Sequence, residues 1–508
     1  VKGDELASRP ITNVGSGLQG MLPGVSIVQP SGQPGNDKMS IVIRGISTLN
    51  SKTDPLILID GIAGGDLNML NPDDIENVSV LKDAASSAIY GARAANGVIL
   101  INTKKGTEGA MRLNVSSSVE FANPFVMPEF QNAYGNLTGD YFSWGDKMEK
   151  PSSWEPRDFF NTGATFNNSF NLSMGTEKNQ TYISASAVNS TGMVENNKYH
   201  RYNVTFRNTA KFLKDKLTLD VSASYVREFY NNMISFGTYF NPIVGAYLYP
   251  RGMNFESEKY FERYNNELGY NKQSWQPGGM GMDVQNPYWI AYRNLRPEAK
   301  DRYMLYANLK YDITEYLNVA GRARIDNTYS ESEDKRYAST ISTFAGDNGR
   351  YRYSNEFYKQ KYADIMVNFD KQFAQIYHAT VNAGASFEEY DTKGHGYGGD
   401  LLLVPNKFTY GNVNSAVASV YETGGDSRTQ NFAAFASAEL SWNSALYLTL
   451  TGRADKPSQL VNSKEEWIFY PSVGLSAIVT ELLPNSLRES IQPVLGYFKI
   501  RGSYTEVG

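Results

Sequence analysis

From about residue 110 onward, apolar and polar residues alternate with a period of two, and this constrains the fold more than any other feature of the chain. Leu217, Leu219, Val221, Ala223 and Tyr225 are separated by Thr218, Asp220, Ser222 and Ser224. Tyr303, Leu305, Ala307, Leu309, Tyr311 and Ile313 enclose Asn308, Lys310 and Asp312 in the same way. Leu317, Val319, Ala323 and Ile325 alternate with Asn318, Arg322, Arg324 and Asp326. Residues two apart share one face of a strand, so each segment has a greasy face and a wet face.

The pattern predicts about thirteen strands: 111–121, 164–174, 180–190, 198–210, 216–229, 301–313, 316–330, 357–371, 376–390, 427–442, 445–455, 468–480 and 496–506. A soluble sandwich alternates too, so the joins decide. Residues 122–163, 230–300, 331–356 and 391–426 are long, whereas 175–179, 211–215, 314–315, 372–375 and 443–444 are tight; 191–197 and 481–495 blur the rule. Long loops on one side and short turns on the other are the habit of an outer-membrane barrel. Such strands are apolar only at every second position, so a mean hydropathy of −0.44 is compatible with lipid contact. Membrane helices are excluded, because runs such as Leu56–Ile59 and Val98–Ile101 fall far short of the ~20 residues required. Aromatics at strand ends, among them Phe229, Tyr230, Tyr329, Phe357, Tyr358, Phe387 and Tyr390, fit either cross-strand packing or an interfacial girdle. Thirteen is an odd number, whereas bacterial single-chain barrels are even, so the expectation is a portion of a larger barrel.

The 48 Lys+Arg stand against 53 Asp+Glu, which leaves no basic excess for a nucleic-acid partner. Absence of cysteine removes disulfides, thiolate metal sites and thiol nucleophiles. Only His200, His378 and His395 could serve a metal or a triad, and none stands in a HExxH arrangement. No cofactor, metal or catalytic residue is expected, and the chain does not read as an enzyme. Gly15–Gly20 fits GxGxxG but follows no strand, so a dinucleotide site is set aside. Asn171 and Asn203 begin sequons inside predicted strands, which argues against a glycosylated secreted protein.

Residues 1–108 follow another grammar. Short apolar runs at 41–43, 56–59, 78–81 and 98–101 alternate with glycine-rich turns and one helix-like stretch, 84–90, as in a small mixed α/β domain. Seven ordered motifs lie here: LQGMLPGV (18–25), SGQPG (31–35), IRG (43–45), PLILIDG (55–61), NPDDIE (71–76), VLKD (80–83) and AIYGARAANGVILINTKKG (88–106). Together they resemble the plug of a SusC/RagA-type TonB-dependent outer-membrane transporter of Bacteroidota. Residues 109–508 resemble the family's barrel more diffusely, chiefly in YPSV (470–473) and KIRGSY (499–504).

The resemblance implies a mainly β protein, with a plug at 1–108 inside an antiparallel transmembrane barrel of 22 strands when complete. It implies import of an oligosaccharide or peptide across the outer membrane, a SusD-like lipoprotein lid over the loops, and the TonB–ExbB–ExbD complex pulling the plug. It leaves open a pairing of two transporter–lipoprotein units. The motif residues Arg44, Gly45, Asp60, Gly61, Lys82, Asp83, Tyr90, Gly91, Arg93, Asn96 and Gly97 are the gating candidates. Arg44, Lys82, Arg93, Lys104 and Lys105 are cations that can face carboxylates on a polar inner wall, or stand as ordinary solvated charges. Thr48, Leu49 and Asn50, in the plug loop 47–52, are substrate-contact candidates, and so are Trp275, Tyr288 and Trp289 of the aromatic-rich segment 230–300. That segment suits sugar stacking or a protein surface, and equally a small core of its own. Two other classes remain: a surface glycan-binding all-β protein without transport, and a lid-free siderophore or vitamin receptor.

Overall fold

The computed structural model describes residues 1–7, 11, 13–36, 39–45, 53–82, 88–416, 419–421, 426–491 and 494–506. The N-terminal region holds six short strands: β1 (Val25–Val28), β2 (Ser40–Ile43), β3 (Leu56–Ile59), β4 (Ile62–Ala63), β5 (Ile75–Leu81) and β6 (Val98–Thr103). β1 and β2 form a ribbon, while the other four form a sheet in the order β4-β3-β6-β5 with β3 and β6 parallel. Apolar runs mark β3 and β6 because both faces are covered. Leu6, Val14, Leu18, Ile41, Ile75, Val78 and Ile99 pack into one cluster.

The large sheet begins at Gly109. Its strands are β7 (Gly109–Ala122), β8 (Gly163–Gly175), β9 (Asn179–Thr191), β10 (Lys198–Phe212) and β11 (Leu217–Asn231). A loop ribbon, β12 (Glu262–Asn265) with β13 (Tyr270–Gln273), and a two-residue strand, β14 (Asn294–Leu295), follow. Then come β15 (Pro297–Thr314), β16 (Leu317–Tyr337), β17 (Gly349–Phe373), β18 (Tyr377–Asp400), β19 (Ser419–Tyr421), β20 (Ser427–Trp442), β21 (Leu446–Pro457), β22 (Ile468–Ile478) and β23 (Lys499–Thr505). Leaving out β12, β13, β14 and β19, thirteen strands pair antiparallel in chain order from β7 to β23. All thirteen expected strands are present.

The faces are inverted relative to a soluble protein. Val204, Phe206, Tyr303, Leu305, Leu309, Ile365, Val367, Leu450 and Leu475 are exposed on the outward face, Ile365 at 57% and Leu475 at 60%. Arg201, Asn203, Arg207, Asp220, Arg302, Arg324, Asp326, Gln360, Glu388 and Arg453 are buried on the inward face, around the plug. On β17 the outward face is apolar from Ala363 to Phe369 and again at Phe373, with one cation, Lys371, near its short-turn edge. Ten steps of ~3.3 Å, tilted by ~40°, reach about 25 Å along the normal, the height of a lipid-facing band.

Strands β16 to β18 continue beyond that band. The expected loops 331–356 and 391–426 therefore shrink, because Tyr337 ends β16, Gly349 starts β17 and Asp400 ends β18. Alternation is lost there, since an outward position beyond lipid no longer has to be apolar, while the hydrogen-bond ladder carries on. Strand-end aromatics pack across strands on both faces. Tyr329 packs on Phe357 (4.6 Å between ring centroids) and Phe387 on Phe432 (4.8 Å) on the outward face, whereas Tyr358 and Tyr390 face each other inside.

A cation at mid-band tests the assignment of faces. Val367→Arg lowers barrel stability in lipid vesicles by about 2–4 kcal/mol, read from urea titration, while Lys359→Arg above the band changes it little.

Candidate functional site: the plug and the inner wall

Side chains on the wet strand faces hold the plug. On β10, four successive inward positions reach it. Arg201 donates to the Asn68 carbonyl, Asn203 Nδ2 to the Met69 carbonyl at 2.9 Å, and Thr205 Oγ1 to Asp74 Oδ2 at 3.0 Å. Arg207 Nη1 donates to Asp60 Oδ2 at 3.1 Å. Farther round, Arg324 of β16 donates to the Ile62 carbonyl at 3.2 Å and to the Ala63 carbonyl, which also accepts from Gln360 Nε2 of β17 at 2.7 Å. Arg453 Nη1 of β21 donates to the Ile89 carbonyl at 3.1 Å. Most of these contacts run from wall donors to plug acceptors. The opposite polarity is found at Arg93, which donates to Glu388 at 2.5 Å, and at Lys105, 3.3 Å from Asp220.

Four wall guanidinium groups are also paired with wall carboxylates. Arg207 Nη2 lies 2.6 Å from Asp220, Arg302 Nη2 2.6 Å from Asp326, Arg322 Nη2 2.5 Å from Asp364 and Arg453 Nη2 2.8 Å from Asp455. These four charges are thus compensated within the wall, and toward them the plug adds mainly hydrogen bonds.

The motif NPDDIE folds as one 3₁₀ turn, Pro72–Asp74, capped by Asn71. Both acids reach the wall. Asp73 accepts from Ser169, and Asp74 Oδ1 accepts from Tyr182 Oη at 2.9 Å. Burial pushes the Asp74 carboxyl up, with the charge of Asp73 adding to it; hydrogen bonds from Tyr182 and Thr205 offset part of the rise. The motif alone does not show this use of the acids, which depends on which wall strand lies opposite.

Of the gating candidates, Asp60 and Gly61 form the two-residue turn between β3 and β4, both at positive φ, and the Asp60 carboxylate accepts from the Thr103 N–H at 3.0 Å and from Arg207. Gly91, at φ 68°, lies against Asp455 and Arg453; a Cβ there would stand 2.5 Å from Asp455 Oδ2, so only glycine allows the approach. Tyr90 packs with Leu58, Ala63, Ala94 and Val98, and Arg93 reaches the wall as described. Asn96 is half-buried in the turn before β6, and Gly97 accepts from the Leu56 N–H at 3.0 Å. Lys82 donates to the Pro23 carbonyl and Lys104 pairs with Asp4 at 3.6 Å, so both serve the plug itself and not the wall. Arg44 and Gly45 follow β2, and Arg44 lines a cavity at the short-turn end with Glu439, Lys499 and Arg501. Asp83, Thr48, Leu49 and Asn50 lie outside the described residues.

Toward the long-loop end, a cavity of about 580 Å³ separates plug from wall. Plug residues Met39, Ile41, Asp54, Ile57 and Leu67 face Lys300, Arg302, Thr328, Glu356 and Tyr358 across it. Sequence reading missed it because its two sides are more than 200 positions apart in the chain.

Two of the loop candidates need correction. Trp289 is 0% exposed and Tyr288 3%, so their rings are not presented to solvent. Tyr288 packs with Phe159, Tyr249 and Phe255 in a core shared by the loops 123–162 and 232–293, and Trp154 stacks on Phe255 at 4.0 Å. Burying those rings is what lets a long segment hold a shape. Trp275 is half-buried against the same core, while Tyr260 and Tyr264 are exposed.

The TonB-dependent Receptor Plug Domain family matches residues 1–98, and the TonB dependent receptor-like, beta-barrel family matches residues 249–507. The chain therefore belongs to the TonB-dependent receptors. Within them it is of the SusC/RagA type: it is 28% identical to the TonB-dependent receptor SusC of Bacteroides thetaiotaomicron over 71% of this chain and 38% of that one. It is 25% identical to TonB-dependent receptor P3 of Formosa agariphila over its whole length and 49% of the relative's. The chain thus spans about half the length, or less, of these curated relatives. Its fold is similar to a chain of the RagAB peptide importer in the open-open state, with a TM-score of 0.78 at 19% identity, covering 99% of this chain and 58% of that one.

Two outcomes follow from the contact pattern. Asp220→Asn strips Arg207 and Lys105 of their wall carboxylate and costs about 3–5 kcal/mol in urea unfolding, whereas Asp60→Asn removes only a plug acceptor, costs about 1 kcal/mol and shows up as faster proteolysis of the plug. The docked plug holds the proton on Asp74 more tightly than the free plug, so this contact is strongest at low pH and weakens as pH rises through the elevated pKa. Protection factors of amides 71–78, corrected for the intrinsic pH dependence of exchange, are expected to fall as pH rises through the elevated Asp74 pKa, and Asp74→Asn to abolish that fall.

Proposed function

We propose that this chain is part of an outer-membrane transporter that takes up a nutrient, an oligosaccharide or a peptide, by TonB-driven displacement of the plug, with a SusD-like surface lipoprotein closing over the loops. The observation that carries the reading is the wet boundary between plug and wall. A plug sealed by apolar packing would expose that surface to water on leaving; this one is held by hydrogen bonds that water can replace. The cavity beside Lys300 and Glu356 opens toward the long-loop end, and we assign it to the incoming substrate together with the plug loop 47–52. Both charge signs and the ring of Tyr358 line it, which suits a ligand bearing polar groups and an apolar face. The assembly named for RagAB, a peptide importer, and the SusC likeness support the transport class. The pull by the TonB–ExbB–ExbD complex and the pairing of two such units are part of the same proposal.

The test is purification of the full-length receptor from outer membranes, with mass spectrometry of co-eluting lipoprotein and ligand. A lipoprotein in stoichiometric amount supports the reading; a receptor that elutes alone and takes up no nutrient overturns it. Once the ligand is known, Glu356→Gln with Tyr358→Ala weakens its binding by about tenfold, as loss of one charged and one stacking contact predicts, with folding unchanged.

A further inference from the structure

Just beyond the apolar band on the long-loop side, the outward face carries a cluster of charge that neither the plug nor the loops use. Lys359 and Lys361 on β17, Lys393 on β18 and Arg428 on β20 are exposed there, with Glu389 and Asp391 between them and exposed Asp426 just before β20, four cations against three carboxylates. Glu389 is shared: Lys361 Nζ lies 3.0 Å and Arg428 Nη2 2.5 Å from its oxygens, which fixes two cationic heads side by side while both remain more than half exposed. Among the described residues, Lys359 and Lys393 have no carboxylate within 4.0 Å.

Directly below in the register come outward Ala363, Phe387 and Phe432, then Ile365, so the cluster is continuous with surface that faces acyl tails. Ligand shape follows from that continuity. A free anion would use the amines alone, and a protein partner has no reason to end at the edge of the band. A lipid needs both parts: tails on the apolar rows and an anionic head at the cations.

We propose that this face binds the phosphate-bearing headgroup of an outer-leaflet glycolipid, its acyl chains lying along β17, β18 and β20. The proposal rests on the outer-membrane reading above, which puts the long loops outside. Bound lipid would anchor the extended strands β17 and β18 at the level where the wall leaves the membrane.

The experiment uses the full-length receptor in vesicles of phosphatidylethanolamine containing lipid A or enzymatically dephosphorylated lipid A, followed by gentle extraction and native mass spectrometry of retained lipid. Expected are preferential retention of the phosphorylated form and a loss of about fivefold for each cation removed among Lys359→Gln, Lys393→Gln and Arg428→Gln. Lys371→Gln, at the opposite edge of the band, is the control and leaves retention unchanged. Equal retention of both lipid forms, or full retention by the triple variant, overturns the proposal, as does recovery of a protein partner that the triple variant loses while lipid retention stays the same. Absence of the parent protein from the outer-membrane fraction overturns the transport reading itself and is seen before any lipid is counted.

Discussion

Pairing of buried charges within the inner wall is the constraint on which the rest depends. A guanidinium group buried in a protein interior must be compensated, and losing its partner costs several kcal/mol. Here Arg207, Arg302, Arg322 and Arg453 each have a carboxylate on their own strand or a strand of the same sheet. Those four pairs therefore persist whether or not the plug is in place, whereas Arg324, held by Gln360 and two plug carbonyls, and Glu388, which accepts from plug Arg93, change partners when it leaves. Had the plug supplied the compensating acids, every departure would strand buried charge. Instead it presents mainly backbone carbonyls, from Ile62, Ala63, Asn68, Met69 and Ile89, which water solvates as readily as a guanidinium does.

The same division explains what was legible in the sequence. Strand number, the antiparallel order and the identity of the lipid-facing rows follow from alternation, because a single-residue slip would put Leu305 or Ile365 inside and Arg302 or Asp364 in lipid. The partners of the inward residues were not legible. Arg324 reads as a polar position in a strand, and nothing local says that it will meet the Ala63 carbonyl, 261 residues away. Sequence reasoning looked for cations on the plug and acids on the wall, and found that arrangement at Arg93 and Lys105. The commoner arrangement is the reverse, and its one local clue was the run Arg201, Asn203, Thr205, Arg207 on a single face. The Asp-Gly pair between Ile59 and Ile62 is a two-residue hairpin signal that the reading of residues 1–108 did not use, and it forms the turn that presents Asp60.

Where alternation fades, at the long-loop ends of β16 to β18, the strands do not end. Paired backbone needs no lipid, and the wall rises beyond the band beside a lobe built from two loops. That lobe spends Tyr249, Phe255 and Tyr288 on its own core, buries Trp289 with its indole N–H on Thr340, and leaves Tyr260 and Tyr264 facing out. Aromatic content alone could not distinguish the two uses, since ring chemistry is the same in both; burial distinguishes them.

The plug's attachment is spread over at least seven strands, and this sets how it can come away. Each hydrogen bond contributes a net ~1 kcal/mol against water, so roughly ten of them hold the plug with an energy comparable to that of a small domain's fold. Broken together they would form a prohibitive barrier. Pulled from one end they break in turn, because each wall donor releases its plug acceptor independently and is left with its carboxylate, glutamine or water. An apolar seam of equal strength cannot be divided in this way, since opening any part of it wets both surfaces at once. A polar, self-compensated wall is thus what lets a plug be both tight at rest and removable under load.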